Sequence, residues 1–312
     1  MKSKVEISII MGVFNPEKAR LFRAVDSIIH QTFHNWELLL YDDGSEKMST
    51  QYIRAAAARD ERVVYIRSCQ NHGLAYALNA CLRRAAGRYI ARMDDDDISA
   101  CDRLEKQYAF LNAHPQFQWV GSNAELFDAG GVWGYQKMPE IPTKKDFLFN
   151  SPYIHPSVMF RREVLIKNGG YSVARRDRHG EDYELFMRLH RNGNRGYNLQ
   201  EPLLQYFEDY GSHKRRTYRR RIQEMGLRYR GFKELGILSK GTFHYVLKPL
   251  LIGVVPAPVH HYIRRQMKGK TIGRQNAAGK RKESCEETAG AGRKKGTVSA
   301  HLAPFSSDRA DT

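Results

Sequence analysis

A chain of 312 residues can bury a sizeable core in one large or two modest domains, and 41% hydrophobic with 11% aromatic content excludes disorder over most of it. A formal net charge of +17 asks for an anionic partner: nucleic acid, acidic lipid or a phosphorylated substrate. The four cysteines, Cys69, Cys81, Cys101 and Cys285, lack ligand or disulfide spacing and fit free thiols in a reducing cytosol, and no apolar run of about 18 residues offers a membrane-crossing helix.

In chain order, residues 5–13 are apolar but too short for a signal peptide, and read as a buried strand closed by Asn15-Pro16. Residues 17–30 carry Leu21, Phe22, Val25, Ile28 and Ile29 at helical spacing. Trp36 to Tyr41 reads as a second strand running into Asp42-Asp43-Gly44-Ser45, residues 49–59 as a helix, and Arg62 to Arg67 as a third strand. A turn at Asn71-His72-Gly73 precedes an Ala-rich helix over 74–86 that Gly87 stops, and Tyr89 to Met93 is strand four. Strands alternating with helices predict a parallel, doubly wound sheet.

Strand four runs into Asp94, Asp95, Asp96 and Asp97, and Ser99 or Asp102 is placed to cap the helix that follows. Most charge runs are solvated turns. This one abuts an apolar strand in a strongly basic chain, at the strand end where open α/β sheets bind ligands. Four adjacent carboxylates need a counter-charge, and hard oxygen donors suit Mg2+ or Mn2+ bound beside substrate phosphates. Arg88 and Arg92, on a strand read as alternating toward solvent, are expected at the surface.

Residues 7–15 with Asp42-Asp43-Gly44-Ser45, Asn71-x-Gly73-Leu74-Ala75 through Asn79, the Gly87–Asp97 stretch, His155-Pro156-Ser157-Val158-Met159-Phe160, Gly169-Gly170-Tyr171 and Glu181-Asp182-Tyr183-Glu184-Leu185 together resemble family 2 glycosyltransferases of the GT-A fold, of the kind that build bacterial surface polysaccharide and lipopolysaccharide. The resemblance covers residues 5–207. It implies a Rossmann-like α/β fold: a mostly parallel sheet flanked by helices, with a C-terminal helical extension. Residues 1–210 would form the catalytic domain, with a nucleotide-sugar half to about 100 and an acceptor half over 101–210.

By the same resemblance, Phe14 stacks on the base, Asp43 reads the base edge, and Asn15, Asp42, Asn71 and Gly73 belong to the nucleotide-sugar site. Asp94-Asp95-Asp96 is the DxD motif, with Asp96 the metal ligand, helped by Asp94, and Asp94 or Asp95 facing the ribose. Asp97 is a supporting residue or a helix cap. Asp182, with Glu181 as alternative, is the general base on the acceptor hydroxyl in an inverting transfer; read without the family, both would be acids favoured at the start of a helix over 182–191. His155, after a strand end at Pro152-Tyr-Ile, approaches the diphosphate or the metal, or is structural. Trp119 lines the acceptor cleft or the core, and Trp133 marks a flexible acceptor-side loop.

The last third adds a basic run at 213–221 and an apolar, proline-interrupted stretch at 243–263 followed by Arg264-Arg265 and Lys268. The basic run sits near the diphosphate or anionic lipid, or is a solvated helix face. The apolar stretch is an interfacial anchor or a helical hairpin capping the domain. A helical extension over 211–270 and a disordered tail over 271–312 are expected. The implied partners are a nucleotide-sugar donor, most often UDP-linked, a glycan or polyprenyl-linked acceptor, and the inner face of the cytoplasmic membrane. A nucleic-acid-binding protein, suggested by the charge, lacks a recognisable binding motif, and a nucleotidyltransferase lacks a Gly-rich signature with a following Lys after strand one.

Overall fold

The computed structural model describes residues 5–209 and 217–269 apart from 257 and 260. Cys285, the tail over 271–312 and residues 213–216 of the basic run lie outside them. The first half alternates β1 (Ile7–Val13), α1 (Lys18–Ile29), β2 (Trp36–Asp43), α2 (Lys47–Ala57), β3 (Val63–Ser68), α3 (Leu74–Arg84) and β4 (Tyr89–Arg92). The second contains β5 (Ile98–Ser99), α4 (Arg103–Ala113), β6 (Trp119–Asp128), β7 (Gly131–Gln136), β8 (Met159–Arg161), α5 (Arg162–Lys167), α6 (Glu181–Arg191) and β9 (Gly196–Phe207), followed by α7 (Tyr218–Glu234) and α8 (Phe243–Val254).

One sheet runs through both halves in the order β3-β2-β1-β4-β8-β6-β9-β5, with β7 paired to β6. The strands β1 to β4 are parallel, as the alternating pattern predicts. The second half is mixed: β8 is antiparallel to β4 and β6, whereas β9 is parallel to β6. Both faces of the sheet are covered, which is why the first strands read as unbroken apolar runs. Leu39 and Tyr41 face the core shared with α3, while Leu38 and Leu40 face the one shared with α1 and α2. Glu17 caps α1, its carboxylate accepting the N–H groups of Ala19 (2.9 Å) and Arg20 (3.0 Å).

Several local expectations change. Pro152-Tyr-Ile forms no strand. Pro152 and Pro156 cannot donate to a ladder, and the segment instead turns back through Ser157 N–H to the Ile154 carbonyl at 2.9 Å. Neither Ser99 nor Asp102 caps α4: Ser99 lies in β5, and Asp102, at the cap position, pairs with Lys106 at 2.8 Å. Trp133 is not on a loop but in β7, where its indole donates to the Glu208 carbonyl at 3.2 Å. Trp119 is fully buried among Tyr153, Phe160, Phe186 and His190. The helical extension packs on the same core through Leu227, Phe232, Leu235 and Val246, so α7 and α8 cap the sheet domain.

Candidate active site

The register places Val13 beside Asp42 and Ile10 beside Arg92, so the chain leaves β1, β2 and β4 along one edge of the sheet. A cavity of about 480 Å³ opens at this edge, lined by Phe14, Asp43, Asn71, Gly73 and residues of the 172–181 segment. Phe14 is half exposed at its wall. Asp43 is buried, and its carboxylate accepts the N–H groups of His72 (3.0 Å) and Gly73 (2.7 Å). Gly73 adopts φ +94°, a conformation that costs glycine nothing and other residues much, and this turns both donors toward Asp43. Burial nevertheless raises the Asp43 carboxyl above its ordinary range, outweighing those two hydrogen bonds.

Two residues expected at the nucleotide lie elsewhere. Asp42 is fully buried and accepts from Ser45 N–H, Thr50 and Tyr65, so its carboxylate is consumed in holding the β2–α2 turn. Asn15, at φ +47°, ties the loop after β1 to the loop after β2 through Ser45 Oγ and the Glu46 N–H. Neither is among the residues that line the cavity.

The acidic run sits over two buried arginines. Arg92, expected at the surface, is fully buried and reaches Asp94 at 2.5 Å. Burial alone would lower its pKa; Asp94 and its neighbours outweigh that and raise it. Arg103, also fully buried, donates to the Arg92 carbonyl at 2.7 Å, and burial pulls its guanidinium down to about 9. Part of the counter-charge for the carboxylates is therefore built into the fold. Asp97 serves neither a ligand nor a helix: it is buried and accepts the Phe207 N–H at 2.8 Å, pinning the end of β9. Asp95 is pushed up to about 8 by burial, then by the charges of Asp96 and Asp94.

A second cavity, of about 450 Å³, is lined by Asp94, alone of the acidic run, with His155, Glu181, Asp182 and side chains of α7 and α8. Glu181 and Asp182 open α6, where the helix N-terminus favours carboxylates. Burial raises both carboxyls, and Asp182 adds to the rise at Glu181. Glu181 and Leu74 line both cavities, so the two meet there. His155 lines this cavity with its Nε2 2.9 Å from the Tyr171 hydroxyl, and burial holds its pKa well below the usual range, so the ring is neutral; among the described residues no three His, Cys, Asp or Glu side chains are grouped as a metal site.

The structure adds cleft residues that the sequence did not single out, Arg175, Arg178 and His179 at the first cavity and Tyr206, Glu208 and Arg228 at the second, and it brings Lys248 and Arg264 of the apolar stretch and its basic flank to the second as well. Arg92 was legible in principle. It lies between Ile90, Ala91 and Met93 in a strand buried on both faces, where an arginine has no route to water.

The first cavity lies at the carboxyl edge of the parallel strands, where open α/β sheets bind ligands, and it shares Leu74 and Glu181 with the second. The sequence model described as Glycosyl transferase family 2 matches residues 8–177. A Bacillus subtilis protein named as glycosyltransferase EpsE is 38% identical over 263 residues, covering 83% of this chain and 93% of that one. The chain belongs to glycosyltransferase family 2. It is also 28% identical over 253 residues to the amylovoran biosynthesis glycosyltransferase AmsE of Erwinia amylovora, covering 78% of this chain and 92% of that one. The O-antigen biosynthesis glycosyltransferase WbnJ of Escherichia coli is 31% identical over 205 residues, covering 64% of this chain and 78% of the other. Among solved structures, S. aureus TarS in complex with UDP-GlcNAc superposes with a TM-score of 0.60 at 18% identity, covering 78% of this chain and 71% of that one. The mannosyltransferase PcManGT from Pyrobaculum calidifontis, in complex with GDP-Man and Mn2+, gives 0.55 at 17% identity, covering 85% and 81%. The fold is of the GT-A type.

Proposed function

We propose that this enzyme moves a sugar from a nucleotide-diphosphate donor, a UDP-sugar, to a hydroxyl of a glycan or polyprenyl-linked acceptor with inversion, in the synthesis of a surface polysaccharide. The observation that carries this reading is the junction of the two cavities at Glu181, with Asp94 and Asp182 on the acceptor side. The donor's base and ribose occupy the cavity walled by Phe14, Asp43, Asn71 and Gly73, and the acceptor hydroxyl enters from the other. The relatives named for amylovoran and O-antigen biosynthesis, and the UDP-GlcNAc complex of TarS, support the substrate classes.

Asp182 takes the acceptor proton. Burial raises its carboxyl, which makes the ionised form a better proton acceptor. Glu181, shared by both cavities, holds the acceptor against the donor. Arg175 and Arg178 line the donor cavity and bring positive charge toward the departing diphosphate. Asp94, Asp95 and Asp96 are crowded enough to raise Asp95, and hard oxygen donors under that repulsion fit a divalent cation, Mn2+ or Mg2+, which Asp96 and Asp94 would hold. When bound, that cation neutralises the leaving group as a Lewis acid. The exposed apolar face of α8 and the basic residues after it support a peripheral position on the inner face of the cytoplasmic membrane; no helix among the described residues is long and apolar enough to cross it.

The test is a thermal-shift panel of nucleotide sugars with and without Mn2+, since a ligand that binds only the folded chain raises its melting temperature. A shift confined to one nucleotide and enlarged by Mn2+ is expected. Asp96→Ala should remove the Mn2+ increment, and Asp182→Asn should keep the shift and lose transfer. Absence of any donor shift, with salt-sensitive binding to nucleic acid, would overturn the reading.

A further inference from the structure

The cations of the acceptor cavity are of two kinds. Arg92, Arg228 and Arg264 each have a carboxylate partner: Asp94 at 2.5 Å, Glu224 at 3.0 Å, and Glu208. Arg221 and Lys248 donate instead to carbonyl oxygens, Arg221 Nη1 to Pro249 at 3.3 Å and Lys248 Nζ to Phe149 at 2.7 Å. A carbonyl satisfies one donor without cancelling a charge, and both side chains retain N–H groups for another acceptor.

Their position is built by the hairpin of α7 and α8. Arg221, Glu224 and Arg228 follow one another along one face of α7, while Lys248, Pro249 and Ile252 line the same cavity from α8. Arg221 can cross α8 because residue 253 is glycine. A β-carbon there would lie 2.6 Å from Arg221 Cδ and 3.1 Å from Nε, and only the bare backbone leaves room. Lys248 stays in the cavity although burial and Arg228 both disfavour its charge, with Glu224 offsetting part of that cost. Asp94, Glu181 and Asp182 repel an anion from the catalytic part of the cavity, so the hairpin is where an anionic group of the acceptor is favoured.

We propose that Arg221 and Lys248 form a subsite that reads a phosphate group on the acceptor, fixing it against the α7–α8 hairpin while the hydroxyl to be glycosylated faces Asp182. This rests on the glycosyl-transfer reading above and adds to it the residues that select the acceptor. The phosphate comes from a lipid diphosphate to which the glycan is attached or from a phosphate on the glycan itself.

Equilibrium binding of citronellyl diphosphate, inorganic pyrophosphate and citronellol to the full chain, with UDP and Mn2+ present to fill the donor cavity, tests it. The wild type should bind the diphosphates and not citronellol. The Arg221→Gln/Lys248→Gln double variant should bind them about tenfold more weakly or worse, the factor that goes with one lost charge-assisted hydrogen bond. Gly253→Ala keeps both charges and displaces only Arg221, so it should weaken binding too, and it serves if the double variant proves unstable. Tighter binding of citronellyl diphosphate than of pyrophosphate identifies the lipid-linked source, and equal binding the glycan phosphate. Unchanged binding in both variants, or citronellol binding as well as its diphosphate, overturns the subsite. Melting scans with UDP on the same samples separate the two readings. Loss of UDP protection in the wild type counts against the donor site, whereas intact UDP protection without phosphate binding counts against this subsite alone.

Discussion

Arg92 shows how far a single side chain can be read before the fold is known. The carboxylates after β4 were visible as a run, and so was their need for positive charge, but an external cation was the simplest source. The protein supplies part of that charge internally, by burying Arg92 and Arg103 beside them. Strand alternation suggested a solvent-facing Arg92; β4 is flanked by β1 and β8 and covered on both faces, so alternation carries no information there. Arg92→Met should therefore unfold the chain more easily by about 3–5 kcal/mol, since it leaves buried carboxylates uncompensated. Urea titration checks this, and Arg92→Met/Asp97→Asn should recover part of the loss. His190 supplies a pH test. Its Nε2 lies 2.9 Å from the Tyr153 hydroxyl, and burial pulls it down to about 4 from 6.5. The unfolded chain thus takes up the proton first. Stability from the neutral ring is complete above the unfolded value and is lost as pH falls from there toward the folded one. Between about pH 7 and about pH 5 the loss is roughly 2 kcal/mol. Asp95, Asp97, Glu181 and Asp182, with raised pKa values, act in the opposite sense. The difference between wild type and His190→Gln cancels them, and that difference should shrink by the stated amount on acidification.

The elements of the first half were legible because each is local: apolar runs bounded by Asn15-Pro16, Gly44 and Gly87 give strands and helices within a few residues of those observed. The second half was not. β9 pairs with β6 from Trp119–Gly196 to Phe127–Phe207, and β8 bridges β4 and β6, partnerships between segments tens of residues apart that periodicity does not encode. The segment before α6 was equally silent, yet it carries Arg175, Arg178 and His179 to the donor cavity. Its anchor is Asp177, which is buried and accepts from Ser172 Oγ at 2.7 Å and Arg230 of α7 at 2.8 Å. Asp177→Asn should loosen that anchor and raise the donor KM by about tenfold, since small displacements of positioning groups are costly. Its effect on folding should be smaller than that of Phe186→Ala in the aromatic core, where a loss of about 3–5 kcal/mol is expected. Steady-state kinetics and melting scans on the two variants read the two effects separately. A donor KM that stays at the wild-type value would show that the segment is a spectator.

Across the whole molecule, net charge and apolar surface point the same way. The chain carries +17, and α8 buries Val246 while exposing Phe243, Leu247 and Leu251 at four-residue intervals, a stripe that Val255 continues past the helix end. Tyr262, Ile263 and Met267 expose further apolar area beside Arg264 and Arg265. Each term is modest by itself: a basic side chain near an anionic surface contributes about 1 kcal/mol and is screened by salt, and an apolar side chain contributes at most about 1.5–3 kcal/mol when fully buried. Under the proposed function the two act together in reversible attachment, which would keep the cavity beside α8 within reach of a lipid-linked acceptor. Vesicle flotation should therefore recover the protein with phosphatidylglycerol-containing vesicles and leave it behind with phosphatidylcholine alone. High salt should weaken binding without abolishing it. Leu247→Asp/Leu251→Asp should release the protein with its melting temperature nearly unchanged, because both side chains point away from the core that Val246 enters. Binding that survives this pair, or that disappears entirely in salt, would mean that charge alone holds the protein on the vesicle and that the apolar stripe serves another purpose.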